Sequence, residues 1–407
     1  MGGGLIQLVA YGAQNVYLNC NPEITFFKVV YKKHTNFSIE SIKQDFTGNL
    51  INGQRATCTI NRSGDLLSKL YIEFNPKLIL QSGNNNGWSA SNIGHTLLKK
   101  IDIDIGGQTI DRHYGHWLTT FQSLNGKNPS NKRGTYTANT GAEPSRGSCS
   151  LYDNMTYNHL KVNHGTSNTD FFNSAPDKAL IPLQFWFCRN IGLALPLIGL
   201  QYHEVKIIID ICKKEDLFQN INTGTISAGD IKLWADYIFL DVEERRRFAD
   251  ISHEYLIEQL QVNESEDSNY YELDFNHPVK ELIWIGKPKR PSSTGNGTGT
   301  PMPLNKDGNW NIIFNNVSRF SPRPLKYFTH TQVYQHHPGN SDNGNAIAVY
   351  SFSLNPKENQ PSGTCNFSRI DKAEINCDII NQELIIYAVN YNILRIINGT
   401  GGLAFAN

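Results

Sequence analysis

Two His-Glu pairs, His203-Glu204 and His253-Glu254, are the first residues in this 407-residue chain whose types suggest chemistry. A zinc hydrolase of the HExxH kind needs a second histidine one helical turn further on, so that both imidazoles reach the same ion. Both second positions are isoleucine, and both pairs open stretches that read as strands. They are therefore read as polar residues at strand starts. His330, His336 and His337 with Asp342 offer metal-ligand types, but the segment ends in Pro338-Gly339-Asn340 and reads as an exposed turn that would not hold ligands in convergence. Gly295-Asn296-Gly297-Thr298-Gly299-Thr300 is glycine-rich without the GK[ST] ending of a phosphate cradle, and reads as a flexible loop. Arg245-Arg246-Arg247 follow Glu243 and Glu244 on one short helix, which favours intrahelical or interdomain pairing over nucleic acid. No Ser/His/Asp order, carboxylate pair or cofactor fingerprint stands out. No catalytic residue, cofactor or metal is assigned, and the chain is read as not an enzyme.

Modification is the remaining chemistry. N-x-[ST] sequons occur at Asn36, Asn61, Asn154, Asn263, Asn296, Asn316, Asn366 and Asn398. In an Asn- and Thr-rich chain most arise by chance; Asn296, Asn316, Asn398 and Asn154 are kept as glycosylation candidates. Cysteines 20, 58, 149, 188, 212, 365 and 377 are odd in number, with no CxxC pair. The N-terminus lacks a signal-peptide pattern and no run approaches a membrane span. Synthesis in a reducing, intracellular compartment is expected, with thiols acting as small hydrophobes. Gly2 does not make a myristoylation site, because Ile6 stands where Ser or Thr is required.

The elements that would position these residues are strands. Lys+Arg and Asp+Glu are both 37, giving a formal net charge of +0, which argues against a genome-gripping role and suits dense self-packing. Gly 33, Pro 17 and 11% aromatics fit many short strands and tight turns. Apolar residues alternate in Leu70–Phe74 and Ile101–Ile105, where Gly106-Gly107 then marks a turn. Further strands are predicted at Ile181–Phe187, His203–Ile211, Trp234–Leu240, Tyr255–Val262, Leu282–Ile285, Trp310–Phe314, Ala348–Leu354, Ile370–Ile375 and Glu383–Ile397. Two short helices are predicted: one carrying Trp117, Phe121 and Leu124 and ending at Gly126, the other over Asp241–Ala249 behind an acidic cap. Asn/Ser/Thr/Gly-rich loops fill 81–95, 125–180, 213–230 and 288–308. Expected core residues are Tyr71, Phe74, Ile101, Ile103, Phe185, Phe187, Ile207 and Ile209 in the first half. In the junction and second half they are Trp234, Phe239, Leu256, Leu260, Ile283, Trp284, Phe352, Leu354 and Ile385.

An internal repeat is visible. Ile39-Glu40-Ser41-Ile42 matches Ile257-Glu258-Gln259-Leu260, while Phe187, Pro196 and Val205 match Phe352, Pro361 and Ile370 at a constant offset of 165. It predicts two copies of one β-sandwich joined near Asp241–Asp250.

Ordered blocks carry a resemblance. They run Leu8–Gln14 (LVAYGAQ), Asn21–Lys28 (NPEITFFK), Gly192–Lys206 (GLALPLIGLQYHEVK), Asp236–Asp241 (DYIFLD), His253–Leu260 (HEYLIEQL) and Gln360–Asp371 (QPSGTCNFSRID), then Leu394-Arg395-Ile396 and Gly401–Ala404. The chain resembles the double jelly-roll major capsid proteins of nucleocytoplasmic large DNA viruses, above all the algal, chlorella-virus type, with iridovirus-like relatives more distant. The loops 125–180, 213–230 and 288–308 match nothing in that pattern.

The resemblance implies an all-β protein of two tandem eight-stranded jelly rolls with a few short helices. Its expected parts are an N-terminal arm over 1–25, a first jelly roll over 26–242, a linker helix over 243–252, a second jelly roll over 253–397 and a tail over 398–407. It implies a homotrimeric, pseudo-hexagonal capsomer tiling an icosahedral shell over an internal viral membrane. Neighbouring capsomers and minor capsid proteins would be partners, and the membrane surface would lie near the arm. Covalent glycans are a further expectation, specific nucleic acid is not, and the virion would be its location after synthesis in host cytoplasm. Two alternatives stay open: a minor capsid or host-glycan-binding virion protein on the same fold, and a glycan-processing hydrolase, which needs a cleft carboxylate pair that no spacing nominates.

Overall fold

A computed structural model of the protein describes residues 21, 27–29, 32–48, 53–75, 92–126, 151–156, 178–217, 231–266, 268–289, 301–338, 346–378 and 382–405. The chain divides into two compact units, Met1–Asn36 and Phe37–Asn407. The described residues of the first are exposed and form no strand or helix. The expected arm, 1–25, lies outside the described residues apart from Asn21.

The second unit begins with β1 (Phe37–Gln44), β2 (Arg55–Thr59), β3 (Leu66–Phe74), β4 (Leu98–Ile105), β5 (Gln108–Tyr114), β6 (Ala179–Pro182), the two-residue β7 (Leu195–Pro196), β8 (Val205–Ile211) and β9 (Ile231–Leu240). After the helix Val242–Asp250 come β10 (His253–Ser265), β11 (Tyr270–Glu272), β12 (Pro278–Gly286), β13 (Asn309–Phe314), β14 (Val317–Ser318), β15 (Arg323–Pro324), β16 (Ile347–Ser351), β17 (Cys365–Asn366), β18 (Ala373–Cys377), β19 (Leu384–Ile397) and β20 (Thr400–Leu403). The sheets run β1-β9-β3-β6 and β2-β8-β4-β5 in the first half, β10-β19-β12-β16 and β11-β18-β13-β14 in the second. Setting aside the short additions β7, β15, β17 and β20, each half has eight strands ordered 1-8-3-6 and 2-7-4-5. All pairings are antiparallel. The protein is two jelly rolls in tandem.

Alternation builds each sandwich. In β8, Val205, Ile207, Ile209 and Ile211 are buried while Lys206, Ile208 and Asp210 are half-buried. They close on Ile101, Ile103, Leu70, Ile72, Phe74 and Leu233 in the first core. The second core centres on Trp284, whose ring lies 6.0 Å from Trp310 and 5.2 Å from Phe328. The hairpin between β4 and β5 turns through Gly106 and Gly107 at φ 62° and 89°. Its counterpart between β13 and β14 uses Asn315 and Asn316 at 48° and 64°. Two consecutive left-handed residues match the strand twist of a tight hairpin and select Gly or Asn.

The repeat is real, but its register differs from the sequence match. β3 bulges against β9 between Leu67 and Lys69, and β12 bulges against β19 between Val279 and Glu281. Superposing the bulges equates Lys69 with Glu281, Asp236 with Val389 and Ile42 with Gln261. Ile39 is therefore the counterpart of Glu258, one residue from the expected Ile257, and a slip of one residue exchanges the two faces of a strand. Likewise Val205 opens β8 opposite Ile105 as Ala373 opens β18 opposite Phe314, so Ala373 replaces the expected Ile370.

Other expectations are corrected. The predicted strand Ile181–Phe187 ends at Pro182, and Trp186–Arg189 is a short helix that drives Phe185, Trp186 and Phe187 into the core. Tyr71 and Trp234 are half-buried on the outer side of their sheet, Leu256 is partly exposed, and Leu354 is 75% exposed beyond the end of β16.

Strand direction sorts the connections. The segments 75–97, 115–178, 212–230, 287–308 and 319–346 join strands at one end of the sandwiches. The short turns at 106–107, 315–316 and 398–399 lie at the other, together with the start of β1, the helix Val242–Asp250 and the connections 183–204 and 352–372.

Candidate assembly interface

The helix Gly115–Asn125 joins the halves. It follows β5 directly and carries Trp117 and Leu124 onto the outer face of the β10-β19-β12-β16 sheet, among Leu260, Ile283, Ile285, Val349, Tyr387 and Val389. The Trp117 ring is 5.0 Å from that of Tyr387. Gly115 is required by space: a Cβ there would fall 2.0 Å from the His95 carbonyl oxygen. At the turn end, Ile257, Leu394 and Ile396 of the second half complete the first half's core. The two sandwiches thus share buried residues at two places and form one unit.

Polar groups fix the register of the joint. Asp111, buried beside His113 (3.1 Å), accepts from the Leu260 amide at 3.0 Å, and the Gln259 amide donates to the Ile110 carbonyl. Glu258 takes Arg189 of the first half at 2.8 Å and Lys280 at 2.5 Å. Burial pushes the Glu258 carboxyl up, and Arg189 and Lys280 outweigh it, so its pKa falls below the ordinary value. Neighbouring Glu281, 3.2 Å from the His337 ring, behaves alike: Lys357, His337 and Lys280 overcome burial and hold it well below the carboxylate range. The Arg189 and Lys357 cations both approach the Phe121 ring, 5.6 and 5.7 Å from its centroid. His116 bonds the Tyr387 hydroxyl, and burial pushes its ring down to about 4. His95, between Thr119 (2.9 Å) and Tyr152 (2.8 Å), is pushed by burial to about 3.

Sequence inspection missed this network. Its one visible signal is Lys280-Glu281 inside the apolar run of β12, where buried charges demand partners.

The histidines that suggested chemistry prove structural. His203 Nδ1 lies 2.9 Å from the Gly401 carbonyl and pins the C-terminal hairpin to the first half. His253 donates to the Phe248 carbonyl at 2.8 Å, and Glu254 pairs with Arg395 at 2.8 Å. His330, His336 and His337 were expected in an exposed turn. Instead a π-helical turn, Tyr327–Thr331, runs into the α-helix Gln332–His336 and His337 is buried, because Leu325, Phe328 and Val333 anchor the segment to the sandwich. The three rings serve different partners: Thr329, the Leu354 carbonyl, and Asn125 with Glu281. Asp342 and Gly295–Thr300 lie outside the described residues. Among the described residues no group of three or more His, Cys, Asp or Glu could hold a metal. Asp241 caps the Val242–Asp250 helix; Arg245 pairs with Asp65 of the first half at 3.0 Å and Arg246 with Asp250 at 3.5 Å. Asn316 and Asn398 are exposed in turns with left-handed backbone. Asn296 and the Asn154 side chain lie outside the described residues.

Two like sandwiches locked by an apolar joint define a protein of the double jelly-roll class. Residues 25–241 match the family model for the major capsid protein N-terminus, and 244–402 that for the large eukaryotic DNA virus major capsid protein. The chain belongs to the major capsid proteins of large eukaryotic DNA viruses. It is 43% identical to the major capsid protein of Pyramimonas orientalis virus and 37% to that of Paramecium bursaria Chlorella virus 1, covering all of both chains in each case. The PBCV-1 VP54 crystal structure superposes with a TM-score of 0.73 at 32% identity, over 94% of this chain and all of the other. The Tipula iridescent virus protein is more distant, at 23% identity over 97% of this chain and 96% of the other.

Proposed function

We propose that three copies form a pseudo-hexagonal capsomer, and that such capsomers tile an icosahedral shell over an internal membrane. The observation that carries this reading is the matched pair of sandwiches joined in one unit, since three such pairs place six near-equivalent blocks around an axis. The end that carries the longest connections, 115–178 and 319–346, faces outward, where length is tolerated and variable surface is useful. The end with short turns faces the membrane, and the arm of residues 1–25 reaches a neighbouring subunit or that inner side. The parts of the chain are the arm, a first jelly roll over 26–242, a linker helix over 243–252, a second jelly roll over 253–397 and a tail over 398–407. Minor capsid proteins bind the assembled shell, the chain is made and assembled in host cytoplasm, and glycans decorate the outward end. Of the candidates, Asn296 and Asn154 belong to segments that leave and rejoin the sandwiches at that end, whereas Asn316 and Asn398 lie at the other.

Sedimentation and negative-stain imaging of the purified full chain test the reading. A trimer with a threefold, hexagon-shaped outline is expected; a monomer at micromolar concentration would refute it. Peptide mass analysis of virions checks the sugars, and a bare 45.8 kDa chain removes them from the account.

A further inference from the structure

The joint inside the chain is a template for a joint between chains. Within the chain, the helix after the fifth strand of the first jelly roll covers the outer face of the second roll's 1-8-3-6 sheet. The second jelly roll has the corresponding helical segment between β15 and β16, Tyr327–His336. Its inward side is anchored by Phe328 and Val333, while Tyr334 on its outward side is 89% exposed, flanked by exposed His330, Thr331 and Gln335. Val333 packs into the internal joint and His337 reaches Asn125 across it, so the exposed side continues the established contact.

The face this segment would cover is partly exposed in the single chain. Superposed on the shared bulge, Tyr71 is the counterpart of Ile283, Trp234 of Tyr387, Ser41 of Leu260 and Lys43 of Val262. In the second roll these positions lie in the covered apolar face. In the first roll Tyr71, Trp234 and Asp236 stay half-buried, Ser41 is exposed, and nearby Ile39 is 50% exposed. The substitution pattern is that of a surface which must be soluble before it is covered: two aromatic residues remain, and their neighbours are Glu73, Asp236, Lys43, Lys69 and Lys232. Interfaces formed after folding combine aromatic anchors with a polar surround in this way.

We propose that the outward side of Tyr327–His336 in one copy packs on the outer β1-β9-β3-β6 face of a second copy, with Tyr334 set against Trp234, Tyr71 and Ile39. The contact repeats between chains what Gly115–Asn125 does within one, and it closes the ring. It rests on the trimer reading and names the surface that reading requires.

Full-length Ser41→Cys/Tyr334→Cys protein is treated with a short bismaleimide, beside both single variants and wild type. Covalent dimers and trimers are expected from the double variant only. Tyr334→Glu should lose the trimer boundary in sedimentation at an unchanged melting temperature, since the residue is exposed in the single chain. A wild-type trimer that yields no double-variant cross-link, or that survives Tyr334→Glu, overturns this contact and leaves trimerisation standing. A monomeric wild type overturns both.

Discussion

Replacing Trp117 by alanine tests whether the two jelly rolls are one cooperative unit. The indole is 4% exposed and lies against Tyr387 and Phe121 in the joint. A buried tryptophan removes roughly 150–250 Å² from water. At about 25 cal/mol per Å² that amounts to about 4–6 kcal/mol of transfer free energy. Truncations of this kind cost about 3–5 kcal/mol after partial collapse of the cavity. Urea unfolding followed by both tryptophan fluorescence and far-UV circular dichroism should give a single wild-type transition. In the variant the midpoint falls by the equivalent of about 3–5 kcal/mol, and with the joint weakened the two probes separate into two transitions. Tyr334→Ala, which removes an exposed ring of similar size, should change stability by no more than about 0.5 kcal/mol. A Trp117→Ala loss below about 1 kcal/mol, well under the burial expected for this side chain, would show that the joint contributes little and that the sandwiches stand independently.

Acid should weaken the fold through rings kept neutral. His95 and His116 have folded values of about 3 and about 4, below the ordinary 6.5. Their neutral forms support the fold above pH 6.5, and that support drains away at about 1.4 kcal/mol per pH unit for each ring as pH falls toward the folded values. Urea midpoints at pH 7.5, 5.5 and 4.5 measure the slope; a His95→Asn variant with an undiminished slope would contradict the assignment. Glu258→Ala leaves the nearly buried Lys280 without its carboxylate and should cost about 3–5 kcal/mol in the same assay, whereas an unchanged midpoint would mean the pair is solvated. Gly115→Ala drives a methyl group into the His95 and Leu98 carbonyls and should cost about 3 kcal/mol or more, read as a lowered melting temperature; wild-type behaviour would show that the helix start can shift.

The strands were the most legible part: β4, β8, β13 and β19 fall close to where alternating or continuous apolar residues place them, though of these only β8 alternates in burial and β4 and β19 are buried on both faces along most of their length. Register was not legible. Ile39 and Ile257 match in type and local sequence, yet one faces solvent and the other a core, because the bulges that set the phase depend on pairing between distant strands. Helices anchored by few residues were equally hidden, as Trp186–Arg189 and Tyr327–His336 show.

Composition, alternation and the ordered motif blocks determined by themselves that this is an all-β protein of repeated sandwiches belonging to a viral coat family. Tertiary structure alone decided which faces of those sandwiches are covered. Tyr71, expected in the core, lies half-buried on an outer face, whereas Tyr387, which the sequence did not single out, is sealed under Trp117. The difference is physical. Alternation records only that a strand has two unlike faces, whereas the partner of the second face is supplied by residues hundreds of positions away.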